Sequence, residues 1–296
     1  MKAPHSSQRG SLGVVVVVCG LTLLSPGEAK AAVNYSLPGS AYSQNFDSLP
    51  NTPQNTSLGG SPAGWTDDNA SPGSNSSIVG WYLYHPNVQG EGGASGYQRL
   101  RIGAGTANTG SFMSWGASGS TDRALGSLAS NTMATNPTPN MYFGLRLHND
   151  TGATLSSFTL TYDGEQWRDG GAATPNAQSL AFTWSTTATA LNDSDTLFNV
   201  APALDFTSPV LANTGSGAAV DGNVAGLVAG ISATVSDINW SPGTDLWLRW
   251  ADLNNTGNDH GLGIDNLTFM AIVPEPSIVA LLGLGAAAML AVRRRN

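Results

Sequence analysis

Alternation of apolar and polar side chains with a period of two is the feature that most limits how this chain can fold. The clearest stretch is residues 141–148, where the residues sharing one face are Met141, Phe143, Leu145 and Leu147. The same alternation recurs in residues 158–162, 180–184, 227–235, 246–250 and 263–272. Helices need a period near 3.6, and no segment before residue 273 sustains one, so the sequence predicts an all-β chain.

Weaker strand signals occupy the first half of the chain, at residues 42–46, 78–84, 98–102 and 112–115, with residues 124–128 ambiguous. Glycine, serine, asparagine and proline separate them, and the polar stretch 51–77 is typical of a long surface loop. Ten or more short strands favour an antiparallel β-sandwich, most closely a jelly roll, over residues 32–272. The turn residues 149–152 predict that the strands on either side form a hairpin.

The first 31 residues have the pattern of a secretory signal peptide. Lys2 and Arg9 precede a mostly apolar stretch at 12–24, and Ala29-Lys30-Ala31 forms an A-x-A cleavage site for signal peptidase. We therefore expect a signal helix over residues 1–31 and a mature chain that begins near Ala32. The single cysteine, Cys19, lies inside this segment, so the mature domain has neither a disulfide nor a thiol nucleophile.

The mature domain is strongly acidic. Residues 32–273 contain six arginines, no lysine and eighteen acidic residues, a net charge of about −12. Such a surface repels phosphate backbones, which argues against nucleic acid as a partner. It suits Ca²⁺, which prefers oxygen ligands, and it equally suits simple solubility outside the cell.

The last 24 residues, 273–296, have three features in a fixed order. Pro274, Glu275 and Pro276 stop any strand or helix, residues 277–292 are uncharged and apolar, and Arg293, Arg294 and Arg295 close the segment. The apolar run spans about 24 Å as a helix, somewhat short of a bilayer core of about 30 Å. Flanking residues and snorkelling arginines extend it, which predicts a single transmembrane helix with the arginines in the cytoplasm.

This tail resembles the PEP-CTERM sorting signal of Gram-negative bacteria. The resemblance implies export through the inner membrane, transient anchoring there, and removal of the tail by an exosortase near Pro274, Glu275 and Pro276. It also implies a final location at the cell surface or in the extracellular polysaccharide and biofilm matrix. A plain C-terminal membrane anchor is the alternative. The tail indicates how the protein is exported and processed, but it does not indicate what the domain does.

A first candidate ligand-binding site lies in residues 162–169. Asp163, Glu165 and Trp167 share one face if the chain stays extended, and Arg168 follows them. Carboxylates accept hydrogen bonds from sugar hydroxyls and an indole stacks on a sugar ring, so the group suits polysaccharide. Two carboxylates could also act as acid and base in glycoside hydrolysis. A structural corner in which Arg168 pairs with an acid is the alternative.

A second candidate site lies between the strand ending at Trp250 and the last strand. Asp252, Asn254 and Asp259 alternate with other polar residues around Gly257, which resembles a Ca²⁺ loop although the EF-hand spacing is absent. Asp265 shares parity with Leu267 and Phe269, so we expect it on the buried face with a cation, Arg249 or backbone N–H groups as its partner. A turn capped by its own Asp and Asn side chains is the alternative.

Residues 40–270 carry a second, looser resemblance. Gly119 to Ser127, Gly164 to Arg168, Leu248 to Trp250 and Gly261 to Asn266 follow one another as in a secreted bacterial β-sandwich module found beside extracellular nucleases and adhesins. No function is settled for that module, so this resemblance does not indicate one for this chain. Five aromatic residues near strand ends fit either the core or a sugar-stacking surface: Trp65, Trp81, Tyr82, Tyr84 and Trp115.

Three functions remain open from the sequence. The leading hypothesis is a non-enzymatic surface or matrix protein whose sandwich binds polysaccharide or another matrix component. A structural matrix protein without a specific ligand is the second. A secreted glycan-active hydrolase using Glu165 and Asp163 is the third.

Overall fold

The computed structural model of the protein describes residues 32–52, 78–86, 100–131, 133–134, 141–172, 176–212 and 215–274. Fifteen strands lie in these ranges. In chain order they are β1 (Val33–Tyr35), β2 (Ala41–Gln44), β3 (Trp81–Tyr84), β4 (Arg101–Gly103), β5 (Ser111–Trp115), β6 (Ala124–Leu128), β7 (Met141–Asn149), β8 (Leu155–Asp169), β9 (Ser179–Ser185), β10 (Asn199–Val200), β11 (Phe206–Thr207), β12 (Ala218–Ala219), β13 (Leu227–Trp240), β14 (Asp245–Asp252) and β15 (Gly261–Ile272). Two single turns of 3₁₀-helix, Asp195–Leu197 and Pro202–Leu204, flank β10.

No helix within the described ranges is long and apolar enough to span a membrane. The predicted signal peptide with Ala29 and Ala31 lies outside those ranges. So do the apolar tail segment, Glu275, Pro276, and Arg293 to Arg295.

The strands form two sheets, which confirms the all-β prediction. The first has seven strands with the main order β1-β7-β14-β9-β10, where β3 also pairs with β7 and β11 with β9. The second has eight strands with the main order β12-β8-β15-β6-β5-β4, where β13 also pairs with β8 and β2 with β15. Apolar side chains from both sheets form one core between them.

Two details of the predicted topology are wrong. The strands before and after the 149–152 turn, β7 and β8, belong to different sheets and do not form a hairpin. The sandwich is also not wholly antiparallel, because β1 pairs with β7 and β4 pairs with β5 in parallel. Alternation identifies which residues share a face, but it does not identify the neighbouring strand.

Trp250 lies at the centre of the core. It is fully buried, and its ring lies 5.9 Å from those of Trp81 and Phe143, 5.6 Å from Tyr162 and 5.1 Å from Phe182. These residues come from both sheets, so a single indole joins the two layers.

The proposed aromatic sugar-stacking surface is wrong for most of its members. Trp81, Tyr82 and Trp115 are buried, and only Tyr84 is partly exposed, with its ring stacked on Tyr142. Trp65 lies outside the described residues. Large aromatics in this sandwich serve the packing of its layers.

A β-bulge in β15 determines which of its residues face the core. The register between β15 and β8 shifts between Asp265 and Thr268, and Asn266 adopts a left-handed conformation with φ of 51°. The extra residue reverses the alternation, so Leu262 and Leu267 both pack in the core. Asp265 is thereby placed on the outer face of the second sheet, and the predicted parity of Asp265 with Leu267 and Phe269 is wrong.

Candidate functional site

A polar pocket of about 390 Å³ lies where β6 and β8 end and β15 begins. The loop between β14 and β15 forms one wall, and residues 215–217 form another. The polar side chains that line it are Asn108, Ser130, Asn131, Arg168, Ser216, Asn254, Asn258 and Asp259. The pocket thus joins Arg168 from the first predicted site to Asn254 and Asp259 from the second.

Arg168 provides the positive charge of the pocket. Its Nη1 donates to the carbonyl oxygens of Gly105 at 2.9 Å and Thr106 at 3.4 Å, which fixes the guanidinium at the wall. A Cβ on Gly217 would lie 2.1 Å from Nη2, so a larger residue there would displace the guanidinium from this position. Burial lowers the pKa of Arg168, but a guanidinium remains charged in proteins.

Asn254 is held by residues that follow β6, and Asp259 is held from within its own loop. Asn254 Nδ2 donates to Asn131 Oδ1 at 2.8 Å and to the Ala134 carbonyl at 2.6 Å. The Oδ1 of Asp259 accepts the backbone N–H of Asn255 at 2.7 Å, and burial raises the pKa of Asp259 to about 6. The predicted alternative of an Asx-rich turn capped by its own side chains therefore describes part of this loop.

A buried network behind the pocket keeps the two strand ends in place. His260 Nδ1 lies 3.1 Å from Gln166 Nε2, and His260 Nε2 lies 3.5 Å from Asp169 Oδ1. Asp169 also accepts the backbone N–H groups of Gly171 and Ala212. Burial lowers the pKa of His260, so the neutral imidazole is favoured and acts as a structural link.

Trp167 is not a surface for sugar stacking. It is 3% exposed and packs with Met113 and Trp115 on the outer face of the second sheet. The register between β8 and β15 shifts at this point, so Trp167 and Arg168 do not alternate regularly. The first predicted site is therefore divided, with Arg168 at the pocket and Trp167 in a packed cluster.

Glu165 and Asp163 also lie away from the pocket. Glu165 is 2% exposed and its Oε2 accepts the indole N–H of Trp167 at 2.7 Å. Burial raises the pKa of Glu165 to about 7, and the Trp167 hydrogen bond opposes that shift. Asp163 accepts from the Gly230 N–H at 2.7 Å and from Asn266 Nδ2 at 3.0 Å. Both carboxylates thus have structural partners.

The four predicted calcium ligands do not form one site. Asp265 lies near Glu165, Asp122 and Asp47, whereas Asp252 and Asp259 lie near each other at the loop. Asp252 is buried and accepts the Ser127 hydroxyl at 2.6 Å, away from solvent. Across the described ranges no group of three acidic, histidine or cysteine side chains is arranged to hold a metal ion.

Asp265 stands out because its Oδ1 is buried without a hydrogen-bond partner in the described structure. The side chain is 2% exposed, and burial raises its pKa to about 8. The predicted partner Arg249 is elsewhere, bonded to Asp195 at 2.6 Å on the first sheet. Arg123, which follows Asp122, donates to Ser114 and Ala117. Burial therefore favours the neutral form of Asp265, and a backbone hydrogen bond from Asn266 opposes that shift.

The sequence of the tail matches a known motif. Residues 273–295 match the model of the PEP-CTERM protein-sorting motif. The tail is a PEP-CTERM sorting signal. This motif indicates export and C-terminal processing to the cell surface. In the structure β15 ends at Ile272, so the PEP-CTERM segment follows the sandwich directly.

The sandwich is similar to adhesin and carbohydrate-binding domains. One is the K3 cleaved adhesin domain of Lys-gingipain from Porphyromonas gingivalis, at 15% identity and a TM-score of 0.32, covering 64% of this chain and 91% of that one. Another is the CBM22-1 xylan-binding domain of Paenibacillus barcinonensis Xyn10C, at 8% identity and a TM-score of 0.33. The match covers 81% of this chain and 100% of that domain. A further one is TmCBM61 in complex with beta-1,4-galactotriose, at 6% identity and a TM-score of 0.25. The match covers 77% of this chain and 94% of that chain.

These values describe a distant likeness of all-β architecture and identify neither a ligand nor a site. No curated protein sequence matches the chain.

Proposed function

We propose that this chain is an exported protein whose tail is anchored in the inner membrane and then processed by an exosortase. Its sandwich is a non-catalytic domain that binds polysaccharide at the cell surface or in the extracellular matrix. The pocket at the start of β15 is the binding site. The PEP-CTERM motif supports the route, and the polar lining of the pocket supports the ligand class.

The proposal that the pocket binds polysaccharide rests on the polar side chains of its wall. Asn108, Asn131 and Asn258 are exposed at the pocket, and amides both donate and accept hydrogen bonds, as sugar hydroxyls do. Arg168 adds donors and Asp259 adds an acceptor. A cavity of about 390 Å³ lies within the usual size range of ligand pockets. A neutral, hydroxyl-rich ligand also avoids repulsion from the acidic domain.

The burial of Glu165 supports a non-catalytic role. A general acid must come within hydrogen-bond distance of the glycosidic oxygen. Glu165 is 2% exposed and is covered by Trp167, so a polysaccharide chain has no access to it in this arrangement. Its raised pKa follows from the same burial and needs no catalytic explanation.

Changing Pro274, Glu275 and Pro276 together to alanine is expected to prevent tail removal. The full-length protein should accumulate in the inner-membrane fraction, because the apolar stretch 277–292 remains attached. Fractionation and immunoblotting of the native host measure this, with exposed Val200→Ala as a matched control in the folded domain. Normal release of the triple-alanine protein contradicts the proposed processing.

The ligand class can be found by affinity electrophoresis of the mature protein in gels containing single polysaccharides. We expect retardation by one class of neutral polysaccharide and none by nucleic acid. Equal mobility in every gel would contradict polysaccharide binding and would favour a structural matrix protein without a specific ligand.

A further inference from the structure

The end of β15 carries a cluster of exposed apolar residues. Of the ten large hydrophobic residues exposed in the described structure, four lie in or beside this strand end. They are Leu37 at 64% exposure, Met270 at 38%, Ile272 at 36% and Val273 at 39%, and we name them the apolar collar. Isolated exposed apolar residues are ordinary, but a group at one end of a domain marks an interaction surface.

Backbone contacts join the members of the collar. The turn carrying Leu37 is bound to β15, since the Gly39 N–H donates to the Ala271 carbonyl at 2.7 Å. The Tyr35 hydroxyl donates to that carbonyl at 3.0 Å. Met270 pairs with Ala41 across the sheet. The collar therefore belongs to the folded domain and does not depend on the residues that follow it.

The length of the chain after β15 identifies what covers the collar before processing. Only residues 273–276 separate Ile272 from the apolar stretch 277–292. Five fully extended residue steps reach at most about 18 Å. A polar headgroup layer occupies about 5–8 Å of that distance. The end of β15 must then lie within about 10–13 Å of the lipid surface.

We infer that the apolar collar rests on the outer surface of the inner membrane and holds the sandwich upright while the tail is attached. This inference depends on the proposed membrane anchoring. Leu37, Met270, Ile272 and Val273 then contact the lipid interface, where apolar and amphipathic side chains are stabilised. The partner is a lipid surface.

The pocket lies at the opposite end of the same strand. β15 runs from Gly261, which pairs with Arg168 and Leu128 beside the pocket, to Ile272 at the collar. Eleven residue steps of about 3.3 Å place these ends about 35 Å apart. The upright orientation therefore directs the pocket away from the bilayer, where it can meet polysaccharide before the tail is cut.

Energy transfer from single labels to a headgroup acceptor in lipid vesicles tests this orientation. The protein is the full mature chain with its tail, which contains no cysteine, so Ser36→Cys labels the collar end and Thr256→Cys labels the pocket end. We expect strong transfer from position 36 and at least fivefold weaker transfer from position 256. Equal transfer from both positions overturns the upright orientation.

A collar variant tests the apolar contact itself. Leu37→Asn with Met270→Asn should loosen the domain from the surface and at least halve the difference in transfer between the two labels. An unchanged difference overturns the role of the collar. Vesicle flotation separates this result from a failure of anchoring, because a tail that does not insert leaves the protein at the bottom of the gradient. Circular dichroism confirms that the variant is folded.

Discussion

Trp250→Ala is expected to destabilise the domain by about 3–5 kcal/mol, the range for removing a buried large aromatic. The indole is fully buried and its ring contacts Phe143 and Phe182 of the first sheet and Tyr162 of the second. Alanine leaves a cavity that neither sheet can close alone. Since a domain of this size loses roughly 2–4 °C per kcal/mol, the melting temperature should fall by roughly 6–20 °C.

Val200→Ala is the control for this substitution. Val200 is 74% exposed, so its truncation should change the free energy of unfolding by less than about 0.5 kcal/mol. Both variants are measured by urea denaturation at one pH. A loss below about 1 kcal/mol for Trp250→Ala would mean that Trp250 does not join the two layers as described.

The domain is expected to become less stable as the pH rises from 5 to 8.5. Burial raises the pKa of Asp252 and of Asp265 to about 8 and that of Glu165 to about 7. In the unfolded chain these carboxyls titrate near their ordinary values of about 4. Between these values the folded state binds more protons, so the free energy of unfolding decreases with rising pH. When the pKa of one such carboxyl differs by two units between the folded and unfolded states, its contribution to the free energy of unfolding changes by about 3 kcal/mol.

Asp265→Asn distinguishes the effect of this buried carboxyl from repulsion among the acidic residues of the whole domain. The amide stays neutral at every pH, so the variant should lose less stability than the wild type between pH 5 and pH 8.5. It should be the more stable protein at pH 8.5. Asp150→Asn, at an exposed turn, is the matched control and should follow the wild type. Stability that rises over this range, or equal slopes for Asp265→Asn and the wild type, contradicts the burial of a neutral Asp265.

The period-two pattern predicted the strands of the core better than their arrangement. Leu246, Leu248 and Trp250 face the core as expected because β14 is regular and is paired on both sides. The sequence contains little information about which sheet receives each strand, so β7 and β8 were wrongly paired. Pairing depends on packing between distant segments, and local alternation does not report it.

A bulge explains the error at Asp265. One extra residue at Asn266 moves Asp265 from the core side to the outer face. A second register shift lies beside Trp167, so Trp167 and Arg168 do not alternate regularly. Asparagine tolerates the left-handed conformation, which is a weak signal for a bulge. A sequence alone does not distinguish such an asparagine from the many others in this chain.

The sequence does not predict the pocket as one site. It assigns Arg168 to a ligand-binding group with Asp163, Glu165 and Trp167, and it assigns Asn254 and Asp259 to a calcium loop. Asn108 and Asn131 were missed, because they come from loops more than 100 residues before the β14–β15 loop. A hydrogen bond between Asn131 and Asn254 spans 123 positions of sequence. Only the fold brings these side chains together.

The most direct test of the account is a titration of three mature proteins with the polysaccharide that retards the wild type. They are the wild type, the pocket variant Asn108→Ala with Asn258→Ala, and the control Asn199→Ala on exposed β10. Two lost hydrogen bonds at about 0.5–1.5 kcal/mol each predict a loss of affinity of about 5-fold to 150-fold for the pocket variant. The control should bind as the wild type does. Equal affinities for all three proteins would show that polysaccharide binds elsewhere and contradict the assignment of the pocket.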